Sequence, residues 1–240
     1  MTLGNRLLGA LPEEAIEELG SELELITLSI KQPLYQPHTP IADVFFLRSG
    51  VASLVSEPTR GETVEIATIG REGMVGIPVF LGDTITPSRA FIQVPGEGYR
   101  LSTEAFRRTV EKHAAFRTIL MRYTLALLGQ VSQSTACNRV HEVQERCARW
   151  LLQTHDRVQG DSFSLTQEFL AQMLGVHRPT VSVAAGMLQK AGLITYVRGI
   201  ITVRDREGLE AASCECYRII AAEYERLLGP FEFKFDRAAK

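Results

Sequence analysis

The feature that most constrains this 240-residue sequence is the segment from Thr166 to Leu188, where two short amphipathic patterns meet at one glycine. Thr166 is of a residue type that caps helix N-termini, and Leu170 and Leu174 follow it one helical turn apart. Gly175 then permits a sharp left-handed turn. Apolar residues recur beyond it at helical spacing: Val176, Val181, Ala184 and Leu188. This spacing predicts a helix-turn-helix, whose second helix enters the DNA major groove, with an ordinary helical corner in a protein core as the alternative.

The second helix of this segment carries polar groups on its other face. Arg178 stands near the N-terminus of the helix, and a guanidinium can pair with both O6 and N7 of guanine, so we predict that Arg178 reads a base. Other polar side chains are predicted to position phosphates: Thr166, Gln167, His177, Thr180 and Ser182. Residues 192–204 then follow the pattern of a two-stranded hairpin, or wing, which predicts that Arg198 lies near the DNA backbone, with Arg204 as a second candidate.

Most of the first half of the chain has the sequence pattern of short strands, not of helices. Between about residues 24 and 101, short β-like runs such as Val44–Leu47 and Val51–Val55 alternate with turn residues and glycines. Many short strands at regular spacing predict a small antiparallel barrel or sandwich.

A long helical pattern follows from residue 113 to about 139. Within it, one set of residues recurs at spacings of 4, 3, 4 and 3: Phe116, Leu120, Tyr123, Leu127 and Gln130. This heptad-like seam predicts that two copies of the helix associate, while packing of the helix on its own barrel is the alternative.

Charge and motif content narrow the class of protein further. Residues 1–60 carry a formal charge of −4 and residues 164–204 one of +3, which fits a chain that touches a polyanion with one end only. No apolar run approaches the ~18 residues needed to cross a bilayer, and no signal-like segment opens the chain, so a cytoplasmic protein without a membrane partner is predicted. The sequence contains no P-loop, Rossmann fingerprint, HExxH, GxSxG or paired-carboxylate motif, which predicts that the chain is not an enzyme.

The chain has four cysteines: Cys137, Cys147, Cys214 and Cys216. They are too sparse for a disulfide framework. If Cys214 and Cys216 lay on one helix, their thiols would point away from each other, and no second pair of ligands is evident. We therefore expect incidental cysteines and no metal site.

A β-rich barrel, a long helix and a winged helix-turn-helix, in that order, resemble the Crp/Fnr family of bacterial transcription regulators. The resemblance covers residues ~12–210. It implies an α+β fold with an N-terminal antiparallel β-roll of the cyclic-nucleotide-binding type. The domains implied are a sensor domain over 1–112, a dimerisation helix over 113–140, a winged helix-turn-helix over 141–211 and a helical tail over 212–240. The partners implied are double-stranded DNA on a pseudo-palindromic site, a second copy of the chain and RNA polymerase.

The sequence departs from the cAMP-binding members of that family at specific positions. Ile77 stands where those members carry the glutamate that holds the ribose, whereas Arg89 matches the arginine that holds the phosphate. The effector-binding candidates implied by the resemblance are Gly76, Arg89, Ala90 and Ser132. We expect no cAMP binding by the usual mode and no cofactor, with control by another effector or by none. The alternative function is a ligand-binding regulatory subunit that acts through protein–protein contacts.

Overall fold

The computed structural model describes residues 3–57 and 63–230 of the chain. These residues form two compact units. The first comprises the described residues up to Leu54 together with Thr68–Leu127, and the second comprises those within Val55–Ala67 and from Leu128 onward.

The first unit is built mainly of short antiparallel strands. Its strands, two of which continue into the second unit, are β1 (Glu24–Leu28), β2 (Pro33–Tyr35), β3 (Asp43–Leu47), β4 (Val51–Ser56), β5 (Val64–Ile69), β6 (Arg89–Val94) and β7 (Gly96–Ser102). They form one sheet in the order β1-β7-β3 and another in the order β2-β6-β4-β5. The β3–β4 turn needs Gly50, because its φ is +82° and a Cβ there would lie 2.6 Å from the Val94 carbonyl oxygen.

Four helices accompany these strands: α1 (Glu13–Leu19), α2 (Ile77–Phe80), α3 (Thr103–Lys112) and the first half of α4 (Ala114–Val140). The side chain of Ser102 caps α3 by accepting a hydrogen bond from the Ala105 amide. The rings of Phe46, Phe106 and Phe116 pack with centroids 6.1–6.3 Å apart, which joins β3, α3 and α4 in one core.

The predicted dimer seam on α4 is wrong. All five of its residues are buried in their own chain, at 5% exposure or less. Phe116 joins the aromatic cluster, the hydroxyl of Tyr123 donates a 3.0 Å hydrogen bond to the carbonyl oxygen of Met74, and Gln130 Oε1 accepts one of 2.8 Å from Tyr224. The alternative, in which this stripe packs on its own subunit, is the one observed.

A second apolar stripe runs along α4 and faces outward. Met121, Leu125 and Leu128 are 52%, 49% and 60% exposed, and the polar Ser132 and Thr135 continue the same spacing of 4, 3, 4 and 3. We call Met121, Leu125 and Leu128 the exposed stripe. Helix α4 is therefore apolar on two faces, and residues 3–57 and 63–230 cover only one of them.

The role of Tyr123 can be tested by removing its hydroxyl. Tyr123→Phe should lower the free energy of unfolding by about 1 kcal/mol, because the buried Met74 carbonyl loses its donor. Because Tyr123 packs inside its own chain, the oligomeric state should not change. Chemical denaturation and sedimentation of the same sample measure both quantities. A change in the number of subunits would instead show that Tyr123 lies in an interface between two copies.

The second unit is mainly helical. Beyond the second half of α4, its elements are α5 (Val143–His155), β8 (Ser162–Ser164), α6 (Gln167–Leu174), α7 (Arg178–Lys190), β9 (Ile194–Val197), β10 (Ile200–Val203), α8 (Arg206–Ala211) and α9 (Cys216–Leu228). The predicted two-stranded wing has a third strand, since β8 pairs with β10 to give the order β8-β10-β9. The prediction overlooked β8 because Phe163 alone of its three residues is buried, too short a run to show a period.

A buried polar cluster joins α8 and α9 to the end of α5. Arg206 Nη2 lies 2.6 Å from Asp156 Oδ1, and the hydroxyl of Tyr217 donates a 2.9 Å hydrogen bond to Asp156 Oδ2. Burial is the largest single influence on the pKa of Arg206 and lowers it, but Asp156, Tyr217 and Glu210 together raise it by more, so the pKa lies above its ordinary value. Arg206 thus neutralises the buried carboxylate of Asp156, and Tyr217 adds a hydrogen bond to it.

The expected α+β class, with N-terminal antiparallel sheets, one long helix and a C-terminal winged helix-turn-helix, is confirmed. None of the helices in the described part of the chain combines the length and hydropathy that crossing a bilayer requires.

Candidate nucleic-acid interface

Helices α6 and α7 meet as the sequence predicted. The Thr166 hydroxyl caps α6 by accepting a 3.1 Å hydrogen bond from the Phe169 amide, and Gly175 ends the helix at φ +62°. The guanidinium of Arg146, on α5, donates to the carbonyl oxygen of Leu174 in the last turn of α6. The predicted apolar residues of the motif are buried, apart from the half-buried Val176: Leu170, Ala171, Leu174, Val181, Ala184 and Leu188. Because Val181, Ala184 and Leu188 are buried, the opposite face of α7 is exposed.

The first turn of α7 is exposed and polar. His177 is its N-cap, and the side chains of His177, Arg178 and Thr180 are exposed. A cavity of about 510 Å³ lies beside this turn, with Thr63, Val64 and Glu168 among its other lining residues. Arg178 and Thr180 therefore line a cavity and are not packed into the core.

Two of the predicted phosphate-positioning residues contact each other. The Ser182 hydroxyl lies 2.8 Å from Gln167 Oε1 and 3.1 Å from the backbone carbonyl oxygen of Arg178. This pair joins the start of α6 to the first turns of α7, so it holds the helices at a fixed angle. The hydroxyl of Thr166 is likewise engaged as the cap of α6.

The wing presents Arg198 at its tip. Arg198 and Gly199 both have positive φ, +50° and +77°, which is the geometry of a two-residue turn between β9 and β10. The wing is held close to the helices: Gln189 Oε1 accepts from the Tyr196 amide at 2.7 Å, and the Tyr196 hydroxyl donates to the Leu165 carbonyl at 2.8 Å. Burial raises the pKa of Tyr196 to about 12, so its hydroxyl stays a donor at neutral pH.

The effector candidates lie on three different elements: Gly76 precedes α2, Arg89 and Ala90 are on β6, and Ser132 is on α4. Gly76 has φ +109°, and a Cβ there would lie 2.8 Å from Val44 Cγ1, so packing alone accounts for this glycine. Arg89 begins β6 with its guanidinium 5.1 Å from the centre of the Phe91 ring, and Ala90 is fully buried. Ser132 lies on α4 in the second unit and is exposed.

Sequence reasoning missed one cluster. The ligand atoms of Cys137, His141, Cys214 and Cys216 all lie within 4.8 Å of one another. The expectation that the two C-terminal thiols diverge on one helix is wrong, because Cys214 precedes α9 and Cys216 is its first residue. The missed signal was the spacing of four between Cys137 and His141, which supplies the second pair of ligands.

Cys147 is a different kind of residue. It is fully buried on α5 outside this cluster, and burial raises the pKa of its thiol to about 12. It is an inert core side chain.

Comparison with known proteins agrees with this geometry. Residues 145–212 match a family model described as the Crp-like helix-turn-helix domain. This part of the chain is a Crp-like helix-turn-helix domain. It spans α5 to α8 and contains every predicted DNA-contact residue. A comparison with curated protein sequences found no significant match.

Solved structures extend the likeness beyond the Crp-like domain. FixK2 from Bradyrhizobium japonicum superposes with a TM-score of 0.68 at 16% identity, covering 80% of this chain and 98% of its own. A Crp/Fnr-family transcriptional regulator from Eubacterium rectale gives 0.67 at 15% identity, covering 86% and 96%. A CRP-family regulator from Thermus thermophilus gives 0.63 at 18% identity, covering 78% and 96%. The chain has the fold of the Crp/Fnr regulators.

Proposed function

We propose that this chain is a sequence-specific DNA-binding transcription regulator of the Crp/Fnr type. The observation that carries the proposal is the exposed first turn of α7, with Arg178 and Thr180, on a Crp-like helix-turn-helix domain. Arg178 is the first residue of α7, so its guanidinium projects at the end that reaches base edges in the major groove.

The regulator acts as a homodimer on a pseudo-palindromic site. The exposed stripe on α4 supports this step, because three adjacent apolar side chains that are about half exposed need a partner, and a second copy offers the same stripe. Two recognition helices about 34 Å apart then meet successive major grooves. Contact with RNA polymerase belongs to the same proposal, since a promoter-bound regulator acts on transcription there.

The effector is a compound other than cAMP, or the regulator acts without one. Ile77 supports this step, because an isoleucine side chain cannot accept a hydrogen bond from a ribose hydroxyl. Selection of bound duplexes from random DNA, with and without a metabolite extract, identifies the operator and tests for an effector. Binding that is independent of sequence, or no binding to duplex DNA at all, contradicts the proposal.

Replacement of the recognition arginine should separate base contact from phosphate contact. Arg178→Ala is expected to cost about 1–3 kcal/mol of binding to the selected duplex and to relax preference at one base pair per half-site. Arg198→Ala should instead weaken binding evenly on all duplexes and reduce the salt dependence, as expected for a phosphate contact at the wing tip. Fluorescence anisotropy at several salt concentrations measures both.

A matched control tests whether any lost positive charge has the same effect. Arg226 is an exposed arginine on α9, outside the Crp-like domain, so Arg226→Ala should leave DNA affinity unchanged. If Arg178→Ala lowered affinity equally for every duplex, Arg178 would contact phosphate only.

A further inference from the structure

Two elements converge on the cysteine–histidine cluster. Cys137 lies in the last turn of α4 and His141 directly follows that helix, with the His141 amide still donating to the Cys137 carbonyl at 3.1 Å. Cys214 lies in the short link between α8 and α9, and Cys216 is the first residue of α9. Three of the four ligand residues are buried, and His141 is half-buried.

The spacing of the donor atoms is that of a tetrahedral metal site. A zinc ion bonded to thiolates at about 2.3 Å places its sulfur ligands about 3.8 Å apart. The Sγ atoms of Cys137 and Cys214 are 3.5 Å apart, and Cys216 Sγ lies 3.5 Å from His141 Nδ1. The four ligands of an iron–sulfur cluster are divided among two or four iron atoms, and ligands on different irons are more widely spaced than those observed, so this arrangement fits one ion better than a cluster.

The surroundings of His141 fit the role of a ligand. While Nδ1 faces Cys216, the opposite ring nitrogen, Nε2, lies 3.2 Å from the Glu215 carboxylate. A metal-bound histidine commonly donates its other N–H to a carboxylate, which fixes the tautomer and the ring orientation. Glu215 stands between two of the cysteines in sequence, so one short segment supplies two ligands and the orienting group.

Two buried arginines place positive charge beside the thiolates of the proposed site. Arg146 and Arg149 on α5 are buried, and both interact electrostatically with Cys137 and Cys214. Within the described ranges the Nε atoms of both arginines have no acceptor, and neither arginine forms an ion pair with a carboxylate. Three thiolates around a divalent ion carry a net charge of −1, so the bound site neutralises part of this buried positive charge.

We propose that Cys137, His141, Cys214 and Cys216 bind one thiophilic divalent metal ion, with zinc as the best match. The site is structural, because four protein ligands leave no open position on a tetrahedral ion. It joins the end of the long helix to the segment that follows the wing, and so closes a loop that contains the whole recognition region. Binding releases the thiol protons and replaces the 3.5 Å sulfur contact by two metal–sulfur bonds.

Metal analysis of the full chain tests the proposal directly. Protein purified without chelator is expected to hold one zinc per chain. Co²⁺ added to the chelator-stripped protein should bind with a ratio of one and give the intense visible bands and thiolate charge-transfer absorption of a tetrahedral site. The melting temperature should fall on stripping and recover with zinc. A visible spectrum typical of an iron–sulfur cluster, or a Cys137–Cys214 disulfide in protein handled under reducing conditions, would overturn the assignment.

The chain offers a matched control for the variants. Cys214→Ser and Cys216→Ser should each abolish the thiolate–Co²⁺ absorption of a full site, whereas Cys147→Ala also removes one cysteine yet should keep a ratio of one. Alkylation of the unmodified chain gives a test that does not require any variant to fold. Because stripping removes the bonds that hold the α8–α9 link to α4, the three cluster cysteines should be alkylated faster after stripping, whereas the alkylation rate of Cys147 should not change. Equal metal binding by the stripped wild type and by Cys214→Ser would refute the site.

Discussion

Leu125→Glu combined with Leu128→Glu should convert the proposed dimer into a monomer and weaken binding to the selected duplex by about 100-fold or more. The two leucines are 49% and 60% exposed on α4, next to each other on the exposed stripe. Four carboxylates would meet in one interface between two copies, at the cost of desolvation and of like-charge repulsion. Because each monomer then binds a half-site alone, the gain from linking two binding events is lost. Sedimentation and anisotropy on the same preparations measure the two effects.

A matched double variant separates the interface from a general effect of added charge. Leu81 and Ile85 are also four residues apart and are 65% and 49% exposed, but they follow α2 and are not part of α4. Leu81→Glu with Ile85→Glu should leave both subunit number and DNA affinity unchanged. A dimer that survives the two α4 substitutions would show that another surface joins the copies.

Arg206→Met should lower the free energy of unfolding by about 3–5 kcal/mol, because it leaves the buried carboxylate of Asp156 without its ionic partner. The Tyr217 hydrogen bond remains but does not balance the charge. Chemical denaturation followed by circular dichroism measures the loss. Adding Asp156→Asn to Arg206→Met should give a total loss smaller than the sum of the two single losses by about 1 kcal/mol or more.

The control for this experiment is an exposed arginine in a similar pair. Arg226 pairs with Glu223 at 2.6 Å, but its side chain is 62% exposed, so Arg226→Met should lower the free energy of unfolding far less than Arg206→Met does. Equal losses for Arg206→Met and Arg226→Met would mean that water reaches Asp156 and that the cluster is not a buried ion pair.

The Crp-like domain could be predicted from sequence because its signals are local. Thr166 as a cap, Gly175 as a left-handed turn and the apolar spacing of α7 all act within about twenty residues, and the structure agrees with each of them. The position of Arg178 at the exposed start of α7 follows directly from that pattern. Where local chemistry determines conformation, sequence reasoning is sufficient.

The features that were missed depend on contacts between distant parts of the chain. The heptad-like pattern on α4 was real, but periodicity alone does not show which of two apolar stripes is covered by the same subunit. Contacts with residues far away in sequence determine which stripe is covered. Phe116 packs on Phe46, 70 residues away. Tyr123 bonds to Met74, 49 residues away, and Gln130 to Tyr224, 94 residues away. The cysteine–histidine cluster required knowing that α9 begins at Cys216 and that its start lies beside the end of α4.

The anchoring of α9 has a mechanical consequence for any signal carried by the long helix. Gln130 and Gln133 of α4 bind Tyr224 and Cys216 of α9, while Tyr217 ties the same helix to the end of α5. Hydrogen bonds thus connect the second half of α4 to α9, and α9 to the end of α5. A rotation of the second half of α4 would therefore be transmitted through these hydrogen bonds to α9 and to the end of α5.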